Sequence, residues 1–151
     1  MRYLENFTVG DTATFGRYEV TEDEIIEFAA RYDPQAFHVD PDKGREQGWD
    51  GVIASGWHTC AMFMRMLVDN VMGEGNGMPS PGIEEVRWLR PVRPGYVLSV
   101  RSEVVEVRAS RSKPDRGIVR TRFEVLDQTG EPVMSMINTG FMPRREATSA
   151  D

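Results

Sequence analysis

Hydrophobic and polar positions change their spacing several times along the chain, and each change predicts an element. Residues 11 to 20, D-T-A-T-F-G-R-Y-E-V, alternate β-branched and aromatic residues with polar ones, which predicts a first strand. T-E-D-E then opens a helix. Thr21 can cap it, Glu24 stands where a capping box returns the hydrogen bond, and acidic residues fill the electropositive first turn. Ile25, Ile26, Phe28 and Ala29 give this helix an apolar face, and Pro34 predicts its end at Tyr32 or Asp33. Residues 34 to 55 follow neither period and are expected to be a long irregular segment, the kind of loop that in a compact domain is usually functional or disordered. After Ser55-Gly56 comes W-H-T-C-A-M-F-M-R-M-L-V-D-N-V-M, apolar on nearly every face, which predicts a helix enclosed by other elements. The turn-forming run G-E-G-N-G-M-P-S-P-G closes it.

Beyond Gly82 the spacing returns to that of strands: Ile83 to Leu89, Tyr96 to Arg108, Gly117 to Leu126 and Pro132 to Met142, separated by R-P-V-R-P-G, S-R-S-K-P-D-R-G and D-Q-T-G-E-P. An antiparallel meander of these four is expected. Strand, helix, irregular segment, buried helix and strands together predict an α+β domain with one helix wrapped by a sheet. Residues 1–151 read as one domain with a core over about 5–142, and 143–151 as a frayed tail.

Composition narrows the function classes. With 40% hydrophobic and 28% charged residues the chain is globular in type, and a net charge of −6 argues against nucleic acid, whose phosphates need a surplus of Lys and Arg. The most apolar stretch, Trp57 to Met72, is broken by Arg65, Asp69 and Asn70 and falls short of the roughly 20 residues of a membrane span. One cysteine, Cys60, allows no internal disulfide, and the first residues contain no apolar run of signal-peptide length. A cytoplasmic protein, without metal or cofactor, is the expectation.

The candidate chemistry lies in Y-D-P-Q-A-F-H-V-D-P. The chain has only two histidines, His38 and His58, and both lie in or beside the irregular segment. Histidine is the side chain most often recruited for proton transfer near neutral pH. Asp33 stands five residues before His38, and between Pro34 and Pro41 the two side chains can converge on one water molecule. Asp40, two residues after His38, can orient the imidazole or cap a turn. Ser55-Gly56 opens the apolar helix, where backbone N–H groups can steady a developing oxyanion, and a glycine permits close approach. His58 reads as a packed or capping residue. His38, Asp40 and His58 imitate a metal site but match no strong ligand spacing. Cys60 reads as core, and the methionines at 62, 64, 66 and 72 read mostly as core, with some able to line an adaptable tunnel.

These residues resemble the MaoC-like, (R)-specific enoyl-CoA hydratase family. Its motif, close to D-x-N-P-L-H-x-D-P, is matched by Asp33, His38, Asp40 and Pro41, and its helix-opening glycine by Gly56 in I-A-S-G-W-H-T. W-L-R-P-V-R-P-G resembles a strand-turn motif of the same fold and extends the similarity over about residues 5 to 142. Gln35, Ala36 and Phe37 depart from the pattern, as does Ser55 where a His often precedes the glycine. The resemblance implies a hot-dog fold, a homodimer or dimer-based oligomer, and a thioester of CoA or acyl-carrier protein as substrate. It implies catalytic roles for Asp33 and His38, an oxyanion-binding N–H at Gly56, and substrate-side or supporting roles for Gln35, Asp40, Ser55, Trp57 and His58. Arg87, Arg90 and Arg93 are candidates for the phosphates of CoA, or equally solvated edge charges. The expected reaction is reversible hydration of a 2-enoyl thioester. Thioester hydrolysis and non-catalytic acyl-thioester binding are the alternatives on the same fold.

Overall fold

The computed structural model describes residues 2–73 and 78–145. After a 3-10 turn at Leu4–Asn6 come β1 (Thr12–Glu19), α1 (Glu22–Tyr32), α2 (Ala36–Val39), α3 (Pro41–Glu46), α4 (Gly56–Leu67) with a π-helical extension Val68–Met72, and then β2 (Gly82–Trp88), β3 (Val97–Ala109), β4 (Arg116–Leu126) and β5 (Pro132–Pro143).

The five strands form one antiparallel sheet in the order β1-β3-β4-β5-β2. The expected four-strand meander therefore holds for β3-β4-β5, while β2 pairs with β5 at the far edge. The connection from β2 to β3 explains this. Pro91 and Pro94 have no N–H to give a hairpin ladder. The segment is bonded elsewhere, with Val92 O accepting from Ala54 N and Gly95 N donating to Val20 O, both at 2.8 Å. The tail expected to fray from residue 143 is held through its first residues: Arg116 pairs with Pro143, and Arg144 N donates to Asp115 O at 2.8 Å. Residues 146–151 lie outside the described residues.

Helix α4 crosses the sheet diagonally, from β2 at its first turn to β1 at its last. Gly56 lies against Trp88 of β2, Cys60 Sγ lies 3.6 Å from Met134 Sδ of β5, Phe63 packs on Phe123 of β4, and Met66 sits against Gly16 of β1. That line follows the strand order, so one face of one helix anchors the core, with Met62, Leu98, Val100 and Val125 buried around it. The outer face departs from the expected full enclosure. Trp57, Ala61, Met64, Arg65 and Val68 are exposed, because the sheet covers only one side of the helix. Among the described residues no helix is long and apolar enough to cross a membrane.

Candidate active site

Helix α1 begins as expected, with Thr21 Oγ1 accepting from Glu24 N at 3.2 Å. The Glu24 carboxylate does not close a capping box. It binds the Tyr18 hydroxyl of β1 and lies 3.2 Å from His58 Nε2 of α4. The helix ends at Tyr32, and Asp33 takes a non-helical conformation before Pro34 while its N–H still bonds Ala29 O at 2.8 Å.

Of the segment expected to be irregular, residues 36–39 and 41–46 fold instead into α2 and α3, while 47–55 hold no helix or strand. Asp40 accepts from Asp42 N at 2.9 Å and Pro41 takes the first helical position, a favourable start for α3. One-turn helices of this kind are too short to persist alone and depend on tertiary contacts. Gly44 supplies one such contact: a Cβ there would lie 1.9 Å from Gly51 O, so the chain before Ile53 can pass against α3 only at a glycine.

That approach sets Ile53, and Ile53 sets His38. The His38 ring is buried, and its Nδ1 lies 2.6 Å from Ile53 O. A carbonyl can only accept, so Nδ1 carries the proton and Nε2 is the nitrogen left for chemistry. Nε2 faces Asp33 Oδ2 at 3.4 Å. Asp33 is itself held from two other sides. Gln35 Nε2 donates to Oδ1 at 2.8 Å and Ser55 Oγ donates to Oδ2 at 2.7 Å. These two bonds, Gln35 first, hold the Asp33 carboxyl below the ordinary carboxylate range, with a smaller contribution from His38 and against the opposing effect of burial. Ser55 is fully buried, and as N-cap of α4 it also accepts from Trp57 N at 3.3 Å. One hydroxyl thus joins the end of α1 to the start of α4.

Gly56 is the first residue of α4, where N–H groups have no acceptor within the helix. Its missing side chain makes room for protein rather than for a ligand: a Cβ would lie 2.4 Å from the Trp88 indole. His38, Gly56, Thr59, Trp88 and Arg90 line a cleft of about 300 Å³, with Ile53, Leu89 and Pro91 adding apolar wall.

The structure brings together Asp33, Gln35, His38, Ser55 and Gly56. It separates the rest. Asp40 caps α3, and Ile53 O takes the His38 Nδ1 proton that Asp40 was a candidate to hold. Trp57 points outward, edge-on to Trp88 at 5.2 Å. His58 lies against α1, stacked on Phe28 at 4.7 Å, away from the cleft. Arg93 is bound to Asp50 at 2.9 Å, and Arg87 is exposed on β2. Arg90 alone of the three arginines lines the cleft, with its guanidinium 3.4 Å from Glu131. Sequence reasoning missed Thr59 and Trp88. Thr59, one helical turn after Ser55 and Gly56, could have been found from that spacing. Trp88 carries no local signal, since only the sheet order brings it to Gly56.

A carboxylate and an imidazole nitrogen 3.4 Å apart, each fixed by other bonds, can share a water molecule and move its protons. Comparisons with known proteins give the chain a family and a fold. The family described as MaoC like domain matches residues 6–125. A MaoC-like dehydratase from Rhodospirillum rubrum is 36% identical and superposes with a TM-score of 0.88 over 97% of this chain and 100% of its own. The mesaconyl-CoA hydratase of Haloarcula hispanica is 31% identical over 121 residues, 80% of this chain but 33% of that protein, so the chain spans about a third of its length. The unliganded R-hydratase PhaJ1 of Pseudomonas aeruginosa, at 24% identity and a TM-score of 0.73 over 99% of this chain and 92% of its own, shares the fold. The antiparallel sheet on its helix is the hot-dog arrangement that the resemblance implied.

Proposed function

Because the chain belongs to the MaoC-like domain family, we propose that it adds water reversibly to a 2-enoyl thioester of CoA or acyl-carrier protein, giving the 3-hydroxyacyl thioester. The observation that carries this reading is the pair Asp33 Oδ2 and His38 Nε2, 3.4 Å apart and independently pinned. A water molecule held between them has one acceptor already ionised, since its hydrogen-bond donors keep the Asp33 carboxyl low. Asp33 takes a proton from this water as the oxygen bonds to C3. The C2=C3 electron pair moves toward the thioester carbonyl, and the proton passes from Asp33 to the bare Nε2 of His38 and from there to C2. Delivery to C2 leaves Asp33 ionised and Nε2 without a proton, which is the starting state. Gly56 N–H, at the positive end of α4, steadies the oxyanion that develops between these steps. The reverse sequence expels water.

The haloarchaeal relative named for mesaconyl-CoA supports a branched, carboxylated enoyl thioester as one acyl group to test. The exposed apolar residues Ala61, Met64 and Val68 on the outer face of α4 support a homodimer or a dimer-based oligomer.

The assay follows loss of enoyl-thioester absorbance over a panel of 2-enoyl-CoAs. Asp33→Asn and His38→Gln are each expected to lower kcat by about 10²–10⁴-fold, the usual share of a positioned acid or base. Equal rates in the wild type and both variants would refute the proposal. Release of free thiol from saturated acyl-CoA would assign hydrolysis instead.

A further inference from the structure

We propose that His58 is a positioning residue: it clamps α1 against α4 and thereby sets Asp33 in front of His38, deepening the hydration reading on which its kinetic consequence rests. His58 is the third residue of α4, and its ring is buried outside the cleft. It reaches α1 by two contacts. Nε2 lies 3.2 Å from Glu24 Oε1, and the ring stacks on Phe28 with centroids 4.7 Å apart and planes 9° from parallel. Glu24 and Phe28 are four residues apart and so stand one above the other on one face of α1. A grip on two successive turns of that face resists both rotation of α1 about its axis and sliding along it. The grip is fixed from a third side, since the Glu24 oxygen that faces His58 also accepts from the Tyr18 hydroxyl of β1. The other charged residues on that side of α1 and α4, Asp23, Glu27, Arg31 and Arg65, are exposed, so none of them replaces a buried donor.

The two histidines carry their protons on opposite nitrogens. A carboxylate oxygen only accepts, so Nε2 of His58 holds the proton and Nδ1 is bare. That Nδ1 is buried without a partner among the described residues, which leaves it no proton to exchange with a substrate. His38 is the reverse case, with Nδ1 bound to Ile53 O and Nε2 open toward Asp33. His58 therefore acts through the place it gives to others.

That effect reaches Asp33 along α1. Asp33 caps the helix five residues after Phe28, with its N–H on Ala29 O, and its Oδ2 accepts from Ser55 Oγ at 2.7 Å while facing His38 Nε2 at 3.4 Å. Polar contacts thus join α1 and α4 at two places, Ser55 to Asp33 beside the cleft and His58 to Glu24 behind it. Without the second, one hydrogen bond has to keep two helices in register. Side-chain ends lie about 5–6 Å from a helix axis, so a roll of about 10° moves them by about 1 Å. A misplacement of that size costs up to about 100-fold in rate. It also loosens the second of the two bonds, from Gln35 and from Ser55, that keep the Asp33 carboxyl low.

The test pairs two substitutions with two readouts. His58→Phe keeps a buried ring on Phe28 but has no donor for Glu24, whereas His58→Gln restores a donor of similar reach. The first readout is kcat and KM on the 2-enoyl-CoA that the wild type turns over fastest. The second is the pH titration of the Asp33 carboxyl, followed by carbon-13 NMR on aspartate-labelled protein and assigned by its loss in Asp33→Asn. His58→Phe is expected to lower kcat by about 10–100-fold with KM nearly unchanged, and to make Asp33 titrate at higher pH than in the wild type. His58→Gln should recover most of both. In an Asp33→Asn background, His58→Phe should cost no further kcat, because a residue acting through Asp33 has nothing left to place. Circular dichroism checks the folds, and Glu24→Ala, which breaks the same contact from its more exposed end, decides if the His58 variants fail to fold. A folded His58→Phe with wild-type kcat and Asp33 titration, a His58→Gln no better than His58→Phe, or a full further loss in the Asp33→Asn background would overturn the inference. No turnover of any 2-enoyl-CoA, with the Asp33 titration moved as expected, would refute the hydration reading and leave this one standing; turnover with both readouts unmoved by His58→Phe would do the reverse.

Discussion

Replacing Ser55 by alanine removes two bonds with different pH behaviour, so its cost should depend on pH in a calculable way. The hydroxyl accepts from Trp57 N as an N-cap and donates to the Asp33 carboxylate at 2.7 Å. Loss of an N-cap costs about 1 kcal/mol. Loss of a buried hydrogen bond to a charged group costs about 1.5–3 kcal/mol more. At neutral pH the sum is about 2.5–4 kcal/mol. The folded Asp33 carboxyl lies below its ordinary value of 3.8, so the stability it contributes is present above the unfolded value and is lost as pH falls through the folded one. In acid the charge-assisted part therefore disappears for wild type and variant alike, and the difference shrinks to the cap, about 1 kcal/mol. Urea denaturation of both proteins at a series of pH values from 7 downward measures this directly. The variant's Asp33 should also titrate at higher pH, shifting the acid limb of the rate profile upward. A stability difference that stays constant across the series would show that the Ser55 hydroxyl does not hold an ionised Asp33.

Two further outcomes follow from groups outside the cleft. Burial, together with the adjoining Glu24 carboxylate, pushes the Tyr18 hydroxyl up to about 12, so in a spectrophotometric titration one tyrosine should stay protonated well past pH 10 and should ionise earlier in Glu24→Gln. The sign is that of a raised group: the associated stability is intact below the unfolded value near pH 10 and fades as pH rises toward the folded one. Glu85 has φ 56° within the β2 bulge, a left-handed conformation unfavourable to residues with a Cβ. Glu85→Gly should therefore gain about 0.5–1 kcal/mol net of glycine's entropy, raising the melting temperature by about 2 °C, and a lower melting temperature would refute that reasoning.

Much of this architecture was legible because it depends on local signals. Thr21 and Pro34 bracket α1, Gly56 opens α4, and alternation marks each strand; all of these act within a few residues. The misreadings arose where distant partners decide. Residues 36–46 carry no helical period because their two short helices are held by Gly44 against Gly51 and by Asp40 as a cap, not by an apolar face. The position of β2 depended on prolines that diverted the 89–95 segment toward Val20 and Ala54. At the candidate site, the spacing of Asp33 and His38 could be read, whereas the acceptor for His38 Nδ1 could not, because any backbone carbonyl can play that part. Trp88 was invisible for the same reason.

The Asp33–Ser55 bond has a consequence for how such a site is inherited. Asp33, His38, Ser55 and Gly56 all belong to one stretch of 24 consecutive residues, tied at its ends by that single bond across a separation of 22 positions. Closing so short a loop costs little entropy, and doubling its length would add only about 0.6 kcal/mol. Apart from the wall that Trp88 adds, the candidate chemistry travels as a contiguous cassette. The rest of the sheet can therefore diverge, or be duplicated into a longer polypeptide, without scattering the parts.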